Sequence, residues 1–379
     1  MDWRVPLADL DYGVEEEEAV LSVLRSRWLT MGGVTQEFES QFAAVTGSKF
    51  AFAVSNATEA LHLACLALGI GPGDEVIVPS LTFVATSNAV LYTGADVHFA
   101  DIIGLDELTI NPAEIERLIT PRTKAIIVMH YGGFPCRMNE IMALAAKHNL
   151  PVIEDVAHAP GGFLDSKALG TWGAIGCFSF FSNKNLSTGE GGMLTTDNDT
   201  LAERIRLQRS HGMTSLTYDR HKGHAFSYDV VDLGYNYRID ELRAALGVSQ
   251  LQKLERNNSR RCDLTHAYWR ALDGLGVGLP FSQTEKGQPS YHIFPMLLPE
   301  GTNRQAFMES LRDSGIQSSI HYRPIHTFTY YQQRYGQQSL LRTEDVASRE
   351  VTLPLYPTMS AEKLELVVEA VKHGLDQHA

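Results

Sequence analysis

The sequence predicts an α/β fold: a large domain with a mainly parallel sheet, followed by a smaller α+β domain. First, the chain has 379 residues and so exceeds the size at which one hydrophobic core keeps growing. Second, short apolar runs alternate with helical patterns over most of the chain, as in βαβ units. Third, the C-terminal part mixes strand and helix patterns without that alternation. We place the large domain, with the N-terminal segment, at residues 1–256 and the small domain at residues 257–379.

The individual elements follow from local patterns. Glu15–Glu18 would begin a helix, because acidic residues suit its positive end. Phe52–Val54 predicts a strand, and a turn of small residues joins it to a helix with regularly spaced apolar residues. Further strands are predicted at residues 75–79, 125–129, 151–155, 175–181, 289–298 and 318–322, and further helices at residues 139–148, 197–205, 246–270 and 303–314 and at the C-terminus.

Composition and charge exclude several classes of protein. Hydrophobic residues make up 44% and charged residues 20% of the chain, which is typical of a globular protein. A formal charge of −13 opposes nonspecific binding to nucleic acid or to anionic membrane. We expect a cytoplasmic protein, because no apolar run reaches the roughly 18 residues of a membrane span and no secretory signal is visible. Four widely spaced cysteines predict neither a disulfide framework nor a metal site.

Candidate chemistry is concentrated between residues 152 and 196. A predicted buried strand ends in Glu154 and Asp155, and the carboxyl ends of parallel strands commonly open onto a site. Lys184 follows the next apolar run on a short polar loop that a glycine-rich turn closes. Partly apolar surroundings would lower the proton affinity of that amine and make it a usable nucleophile. A pyridoxal phosphate enzyme needs both groups, the amine for the aldehyde and the carboxylate for the ring nitrogen.

The order of motifs makes this hypothesis specific. E-D-x-A-H-A, G-C-F-S-F and K-N-x-x-x-G-E-G-G, between residues 154 and 192, resemble the DegT/DnrJ/EryC1/StrS family of pyridoxal-phosphate-dependent sugar aminotransferases. The resemblance implies the fold type I aminotransferase architecture, with a large three-layer αβα domain. It also implies that Lys184 bonds the cofactor's aldehyde and that Asp155 pairs with the pyridine nitrogen. His158 would contact the ring hydroxyl, and Ser179 would bind the phosphate.

The same resemblance adds cofactor contacts outside this stretch. Ala57 and Thr58 would bind the phosphate where a strand turns into a helix N-terminus, a natural anion site; the family usually has glycine where Ala57 stands. Phe83 would stack on the pyridine ring. The segment from residue 234 to 241 resembles a G-Y-N-Y-R-x-x-E signature, in which Asn236 would reach the cofactor phosphate of a neighbouring subunit. This implies a homodimer with shared active sites.

Two further segments supply candidates for substrate binding. Trp28 to Gly32 matches a W-L-T-x-G pattern that lies close to the family's active site, so we include Thr30. Residues 321–326 resemble an H-Y-x-P-x-H segment near the sugar-nucleotide pocket, so we include His321, Tyr322 and His326. Without the resemblance, such clusters of aromatic and histidine residues are commonly just packing.

The predicted activity is a ping-pong transamination. An amino acid, glutamate by resemblance, would donate nitrogen, which would then pass to a keto group of a nucleotide-linked deoxysugar, with Lys184 as general base and acid. His158, in place of a glutamine, favours a 4-keto over a 3-keto acceptor. The alternatives are an aminotransferase or dehydratase acting on a cyclitol or other non-nucleotide keto compound, and a non-catalytic cofactor-binding regulator. No G-x-G-x-x-G turn or G-x-S-x-G elbow supports a dehydrogenase or a hydrolase.

Overall fold

The computed structural model describes residues 3–214 and 227–378, built around one seven-stranded sheet. Within the sheet β11 is antiparallel to both of its neighbours, and every other pairing is parallel. The mainly parallel sheet and the predicted fold class are thereby confirmed. In spatial order the strands are β1 Phe50–Val54, β11 Gly192–Thr196, β10 Ile175–Ser179, β7 Val152–Asp155, β6 Thr123–Met129, β2 Glu75–Pro79 and β3 Asp96–Ala100.

Three short antiparallel pairs, thirteen α-helices and two 3₁₀ helices, Tyr131–Gly133 and Ile325–Thr327, make up the rest of the regular structure among the described residues. The pairs are β4 Ile102–Gly104 with β5 Glu107–Ile110, β8 Phe163–Leu164 with β9 Lys167–Ala168, and β12 Phe294–Leu297 with β13 Glu350–Leu353. The helices are α1 Val14–Ser26, α2 Gly33–Thr46, α3 Ala57–Ala67, α4 Ala85–Leu91, α5 Pro112–Leu118, α6 Met138–His148, α7 Asp199–Gln208, α8 Glu241–Leu251, α9 Leu254–Leu272, α10 Arg304–Asp313, α11 Thr329–Tyr335, α12 Leu341–Arg349 and α13 Ala361–His378.

The sheet separates two hydrophobic cores, which gives the large part of the molecule three layers. Successive side chains of a strand point to opposite faces, and β6 shows this clearly. Ile126 and Val128 lie in a core with Phe38 and Phe178, whereas Ile127 lies in the core on the other face. Because both faces are covered, the central strands are apolar throughout, as expected for a buried parallel sheet.

A third core forms around the β12–β13 pair and the C-terminal helices, with Tyr268, Phe294 and Phe307 fully buried in it. Helix α9 links this core to the sheet, since Leu254 packs in a sheet core and Tyr268 packs in the third. The proposed boundary between residues 256 and 257 therefore falls within one continuous helix. The division at that point stays a prediction. Across residues 3–214 and 227–378, no helix is long and apolar enough to cross a membrane.

Four predicted element boundaries were wrong for tertiary reasons. The predicted helix at 246–270 is two helices, α8 and α9, and the break follows Gln250, whose side chain donates to the buried Glu16 at 2.8 Å. The predicted strand at 289–298 begins only at Phe294, because Tyr291 has a φ of 49°. The predicted strand at 318–322 is one bridge at Ser319, and β10 ends at residue 179 instead of 181.

Candidate active site

A cavity of about 860 Å³ opens at the carboxyl ends of β7 and β10. Since these strands are parallel, their ends meet at one edge of the sheet. Nine of the twelve predicted site residues line the cavity; Thr30, Asn236 and His326 do not. The full lining is Ser55, Asn56, Ala57, Thr58, Glu59, Leu61, Thr82, Phe83, Ala85, Met129, Asp155, Ala157, His158, Ser179, Phe181, Asn183, Lys184, Glu190, Tyr237, Arg243, His321 and Tyr322.

The two carboxylates that end β7 face opposite sides of the sheet. Asp155 points into the cavity, where it accepts hydrogen bonds from Thr86 Oγ1 at 2.7 Å and from the backbone N–H of Ala157 at 3.1 Å. Burial raises the pKa of Asp155, and these two bonds and the nearby charge of Lys184 oppose that rise. Glu154 instead lies 3.0 Å from His130 Nε2 and accepts from two backbone amides. Glu154 therefore links β7 to other segments of the chain and does not line the cavity.

Lys184 lies on the loop after β10, where its backbone N–H donates to the carbonyl of Phe181 at 2.9 Å. Burial lowers the pKa of Lys184 to about 7, and the negative charge of Asp155 opposes the shift. A large fraction of the amine is therefore unprotonated near neutral pH, as a nucleophile or a general base requires.

The glycines after the lysine serve two different purposes. Gly189 has a φ of 81°, a conformation that side chains with a Cβ seldom adopt. Gly192 is needed for space, because a Cβ there would lie 2.6 Å from the carbonyl carbon of Asn56. This close approach brings β11 against the turn that precedes α3. The predicted tight backbone is thus present at Gly189, while Gly192 permits contact between two chain segments.

The turn before α3 forms one end of the cavity. Asn56 caps the helix by accepting from the backbone N–H of Glu59 at 2.9 Å. Ala57 and Thr58 follow in the first turn, and they line the cavity together with the buried Ser179. The positive end of a helix and its first amides form a favourable environment for a phosphate.

A hydrogen-bonded pair, His158 and Tyr322, lies across the cavity from that turn. His158 Nδ1 accepts from the backbone N–H of Gly132 at 3.3 Å, so the neutral ring carries its proton on Nε2. That nitrogen donates to the Tyr322 hydroxyl at 2.8 Å, which leaves the hydroxyl proton free to point elsewhere. Burial lowers the pKa of His158 well below its usual value and raises the pKa of Tyr322. Both groups therefore stay neutral at physiological pH.

The phenyl ring of Phe83 and the imidazole ring of His321 complete the cavity wall. Phe83 is 58% exposed although it follows a buried strand, so it is not part of the core and presents a flat face to the cavity. His321 lies within 2.8 Å of Thr352 Oγ1, and its backbone N–H donates to Glu350 at 2.7 Å. Burial and the charge of Lys184 lower the pKa of His321 to about 3, so its ring is neutral.

Three of the predicted site residues lie outside the cavity of the single chain. Thr30 is exposed and pairs with Asp240 in an isolated bridge. Asn236 is also exposed and pairs with Ser210. His326 is buried, and its two ring nitrogens lie 2.6 Å from Ser80 Oγ and 3.1 Å from Glu344 Oε1. Because both nitrogens are engaged, His326 has the contacts of a structural histidine.

Sequence reasoning missed several residues of the site. Thr86 holds Asp155, and it follows Phe83 by three residues, almost one helical turn. His292 Nε2 lies 3.3 Å from Lys184 Nζ although the two residues are 108 positions apart. No local pattern marks His292, because its contact with the lysine depends on how the C-terminal part folds back onto the sheet.

The lining residues fit pyridoxal phosphate. A buried carboxylate, an amine of lowered pKa, a flat aromatic face and a helix N-terminus surround one space, as the cofactor's ring nitrogen, aldehyde, ring and phosphate require. In addition, Asn183 Oδ1 is buried at the cavity and has no hydrogen-bond partner among the described residues. A buried acceptor of this kind usually has a partner, and a bound group would supply one.

Comparisons with known proteins show the family of the chain. The model of the DegT/DnrJ/EryC1/StrS aminotransferase family matches residues 11–372. Spore coat polysaccharide biosynthesis protein SpsC of Bacillus subtilis is 40% identical over 370 residues, which is 95% of this chain and 94% of SpsC.

Solved structures are similar over the whole fold. PseC of Helicobacter pylori, an aminotransferase involved in the biosynthesis of pseudoaminic acid, superposes with a TM-score of 0.91 at 30% identity and covers 100% of both chains. The pyridoxal phosphate form of Streptococcus pneumoniae Spr1654, a sugar aminotransferase by its description, superposes with a TM-score of 0.92 at 26% identity, over 98% of this chain and 99% of that one.

Proposed function

The chain belongs to the DegT/DnrJ/EryC1/StrS aminotransferase family, and we propose that it moves an amino group from glutamate to the 4-keto group of a nucleotide-linked deoxysugar. Membership confirms the predicted enzyme class and cofactor: the protein is a pyridoxal-phosphate-dependent sugar aminotransferase. The donor, the acceptor and the roles of individual residues are the proposal. The observation that most directly supports the proposal is that Lys184 and Asp155 line the same cavity.

The relatives support a sugar acceptor in a biosynthetic pathway. SpsC is named for polysaccharide biosynthesis and PseC for the biosynthesis of pseudoaminic acid. The cavity, at about 860 Å³, is within the usual range for ligand sites. Its polar lining beyond the cofactor-binding groups, including Tyr237 and Arg243, suits a polar acceptor.

The residues that would hold the cofactor come from the sheet edge. Lys184 would bond its aldehyde, and Asp155 would pair with its ring nitrogen. Phe83 would stack on the ring, and His158 would contact the ring hydroxyl. When bound, pyridoxal phosphate supplies an electron-accepting ring. The phosphate would lie against the buried hydroxyl of Ser179 and the helix amides of Ala57 and Thr58.

Proton transfer would depend on the lysine amine. With a pKa of about 7, Lys184 Nζ takes a proton and returns it with little thermodynamic cost near neutral pH. Asp155 is the negative group nearest to this chemistry and would keep the ring nitrogen protonated. Tyr322 and His321 would contact the substrates, Tyr322 through the hydroxyl proton that His158 leaves free.

The proposed active form is a homodimer. Asn236 is exposed in the single chain, and Val230, Val231 and Leu233 close to it are 57%, 55% and 76% exposed. Apolar side chains grouped in this way are typical of a surface that a partner covers. We propose that Asn236 of one subunit completes the phosphate site of the other.

Absorbance spectroscopy with added pyridoxal phosphate and then glutamate tests the proposal. The wild type should develop the visible band of the lysine-bound cofactor, and glutamate should bleach it; Lys184→Ala should show no such band. The bleached enzyme should then regain the band with a nucleotide-linked 4-keto sugar. A band that ignores glutamate would refute the donor. Equal recovery with a free keto sugar or a keto cyclitol would favour the alternative acceptors.

A further inference from the structure

His292 is held rigidly beside the lysine amine. Its side chain is 4% exposed. Its backbone N–H donates to the carbonyl of Gly132 at 2.8 Å, and its carbonyl accepts from Arg261 Nη1 at 3.2 Å. The backbone of His292 is therefore held by two other segments, and the Nε2 atom of its buried ring lies 3.3 Å from Lys184 Nζ.

A chain of hydrogen bonds determines which ring nitrogen of His292 carries the proton. The carbonyl of Pro160 can only accept, so the atom of Asn258 that lies 2.9 Å away is the amide nitrogen. The amide oxygen of Asn258 then accepts from Asn185 Nδ2 at 2.8 Å. A second carbonyl, that of Ser290, accepts from the same Asn185 nitrogen at 2.7 Å.

Asn185 must therefore present its oxygen to His292. This oxygen lies 2.9 Å from His292 Nδ1, and an amide oxygen only accepts. His292 Nδ1 is thus the protonated nitrogen. In the neutral ring the other nitrogen, Nε2, carries a lone pair, and that lone pair faces the amine of Lys184.

The surroundings keep the ring neutral. Burial, the charge of Lys184 and neighbouring groups lower the pKa of His292 well below its usual value. The titratable and charged groups that influence the lysine or this ring from the packed elements are Asp155, His158, His321 and Arg261. Burial and the positive charges of Lys184 and Arg261 therefore disfavour a further positive charge on His292.

We propose that His292 is the positioning residue for the catalytic amine: through Nε2 it accepts a hydrogen bond from Lys184 Nζ whenever the amine is free. Each time the amine is released, it then returns to the same position. One of its N–H groups donates to His292 Nε2, and its remaining hydrogens and lone pair point into the cavity. The bond also stabilises the protonated amine more than the neutral one, because bonds to charged donors are stronger. This inference rests on the proposed role of Lys184.

Two substitutions test the roles of the two ring nitrogens of His292 separately. In His292→Asn the amide group occupies the region of Nδ1, so the link to Asn185 can persist while the acceptor for Lys184 is lost. In His292→Gln the amide group reaches the region of Nε2, so an acceptor for the amine is restored while the link to Asn185 is lost. A merely structural role for His292 predicts the opposite ranking of the two variants.

The readout is the pH dependence of amine labelling in cofactor-free enzyme. Lys184 is acetylated with limiting reagent and quantified by mass spectrometry, with the exposed Lys124 as the internal reference. We expect the labelling midpoint of Lys184 to fall by about one pH unit in His292→Asn, a roughly tenfold faster relative labelling on the acid side. His292→Gln should stay close to wild type.

The outcomes are separable from those of the proposed function. An unchanged midpoint in a folded His292→Asn, or the same shift in both variants, would overturn the inference even if the wild type transfers amino groups. Nitrogen NMR of the wild-type imidazoles is a second test that needs no variant. A His292 ring with its proton on Nε2 would also overturn the inference, and a proton on Nδ1 would support it. Because both readouts use cofactor-free enzyme, they do not depend on which sugar is the substrate.

Discussion

The two ends of the cavity are built differently. The cofactor end consists of strand ends and one helix start: Asp155 on β7, Ser179 on β10, and Ala57 and Thr58 on α3. The substrate end depends on the segment that contains His321, which has no regular structure of its own beyond an isolated bridge at residue 319. Thr30 and Asn236 stay outside the cavity of the single chain, and Asn236 is the residue of the cofactor end that we propose a partner subunit supplies. Regular sheet geometry thus positions the proposed cofactor-binding residues, whereas less regular chain segments line the proposed substrate side.

The largest expected effect comes from the cofactor end. Asp155→Ala removes the carboxylate that would keep the ring nitrogen protonated. We therefore expect the rate of amino transfer to fall about 10³-fold, which is within the usual range for the loss of a group that acts in acid–base catalysis. Steady-state kinetics with glutamate measures this loss. Thr86→Val is the matched control. It removes one hydrogen bond to Asp155, so it should cost much less, and an equal loss in both variants would show that the carboxylate acts only as a structural group.

Complementation between subunits tests whether the site is shared. Asn236→Ala should weaken cofactor binding about tenfold, as expected for the loss of a hydrogen bond to a charged group, and Lys184→Ala should be inactive. If Asn236 acts in the partner's site, a mixed dimer of the two variants contains one site with neither substitution. At a cofactor concentration that leaves Asn236→Ala poorly occupied, the activity should therefore rise on mixing. No rise on mixing, although exchange is shown by native mass spectrometry, would contradict the shared site.

A smaller effect is expected where β11 contacts the turn before α3. In Gly192→Ala the new Cβ would lie 2.6 Å from a backbone carbon of Asn56, so the turn must shift, at a cost of about 1–3 kcal/mol in the free energy of unfolding. Cofactor affinity should fall as well, because the shifted turn would carry the proposed phosphate site. Chemical denaturation and cofactor titration give the two values. Gly71→Ala is the control, since no atom lies within 4 Å of its added Cβ and little change is expected.

The last expected effect acts on stability and not on amino transfer, and it concerns the buried carboxyl group under the substrate end. Burial raises the pKa of Glu350 from 4.5 to about 8. A folded-state pKa above the unfolded one means that the folded protein holds a proton that the unfolded chain releases, so this contribution to stability is present at low pH and is lost as pH rises between these values. Glu350→Gln should remove that dependence.

The comparison that tests this is the free energy of unfolding of wild type and Glu350→Gln at about pH 5 and pH 8. The difference between the two proteins should change by a few kcal/mol, since one unit of pKa difference corresponds to about 1.4 kcal/mol. A difference that is independent of pH would show that Glu350 is ionised in the folded protein, with the hydrogen bond from the His321 backbone offsetting its burial.

Much of the cofactor end could be predicted because its signals are local. The strand at residues 75–79 has the predicted bounds, since a continuous apolar run between turn residues marks a buried strand. The strand ends of the sequence mark Lys184 and Asp155 as chemistry-bearing residues, and both line the cavity. Their roles in catalysis remain predictions.

The contacts that could not be predicted link distant segments. His292 meets Lys184 across 108 residues, and Glu16, in the first turn of α1, accepts from Gln250 across 234 residues. The second contact accompanies the break between α8 and α9, which helical periodicity alone did not indicate. Local propensity is a weak guide where tertiary contacts stabilise a different backbone.

The sequence is sufficient to identify the motifs of the family, the residue types of the cofactor end and many of the strands and helices. The folded chain supplies the physical reason why Asp155, and not Glu154, lines the cavity. The pleat of β7 sends the two adjacent carboxylates to opposite faces, where Glu154 binds backbone amides and Asp155 shares the cavity with Lys184. The proton on His292 was decided in the same way, because it follows from carbonyl groups that only the folded chain brings together.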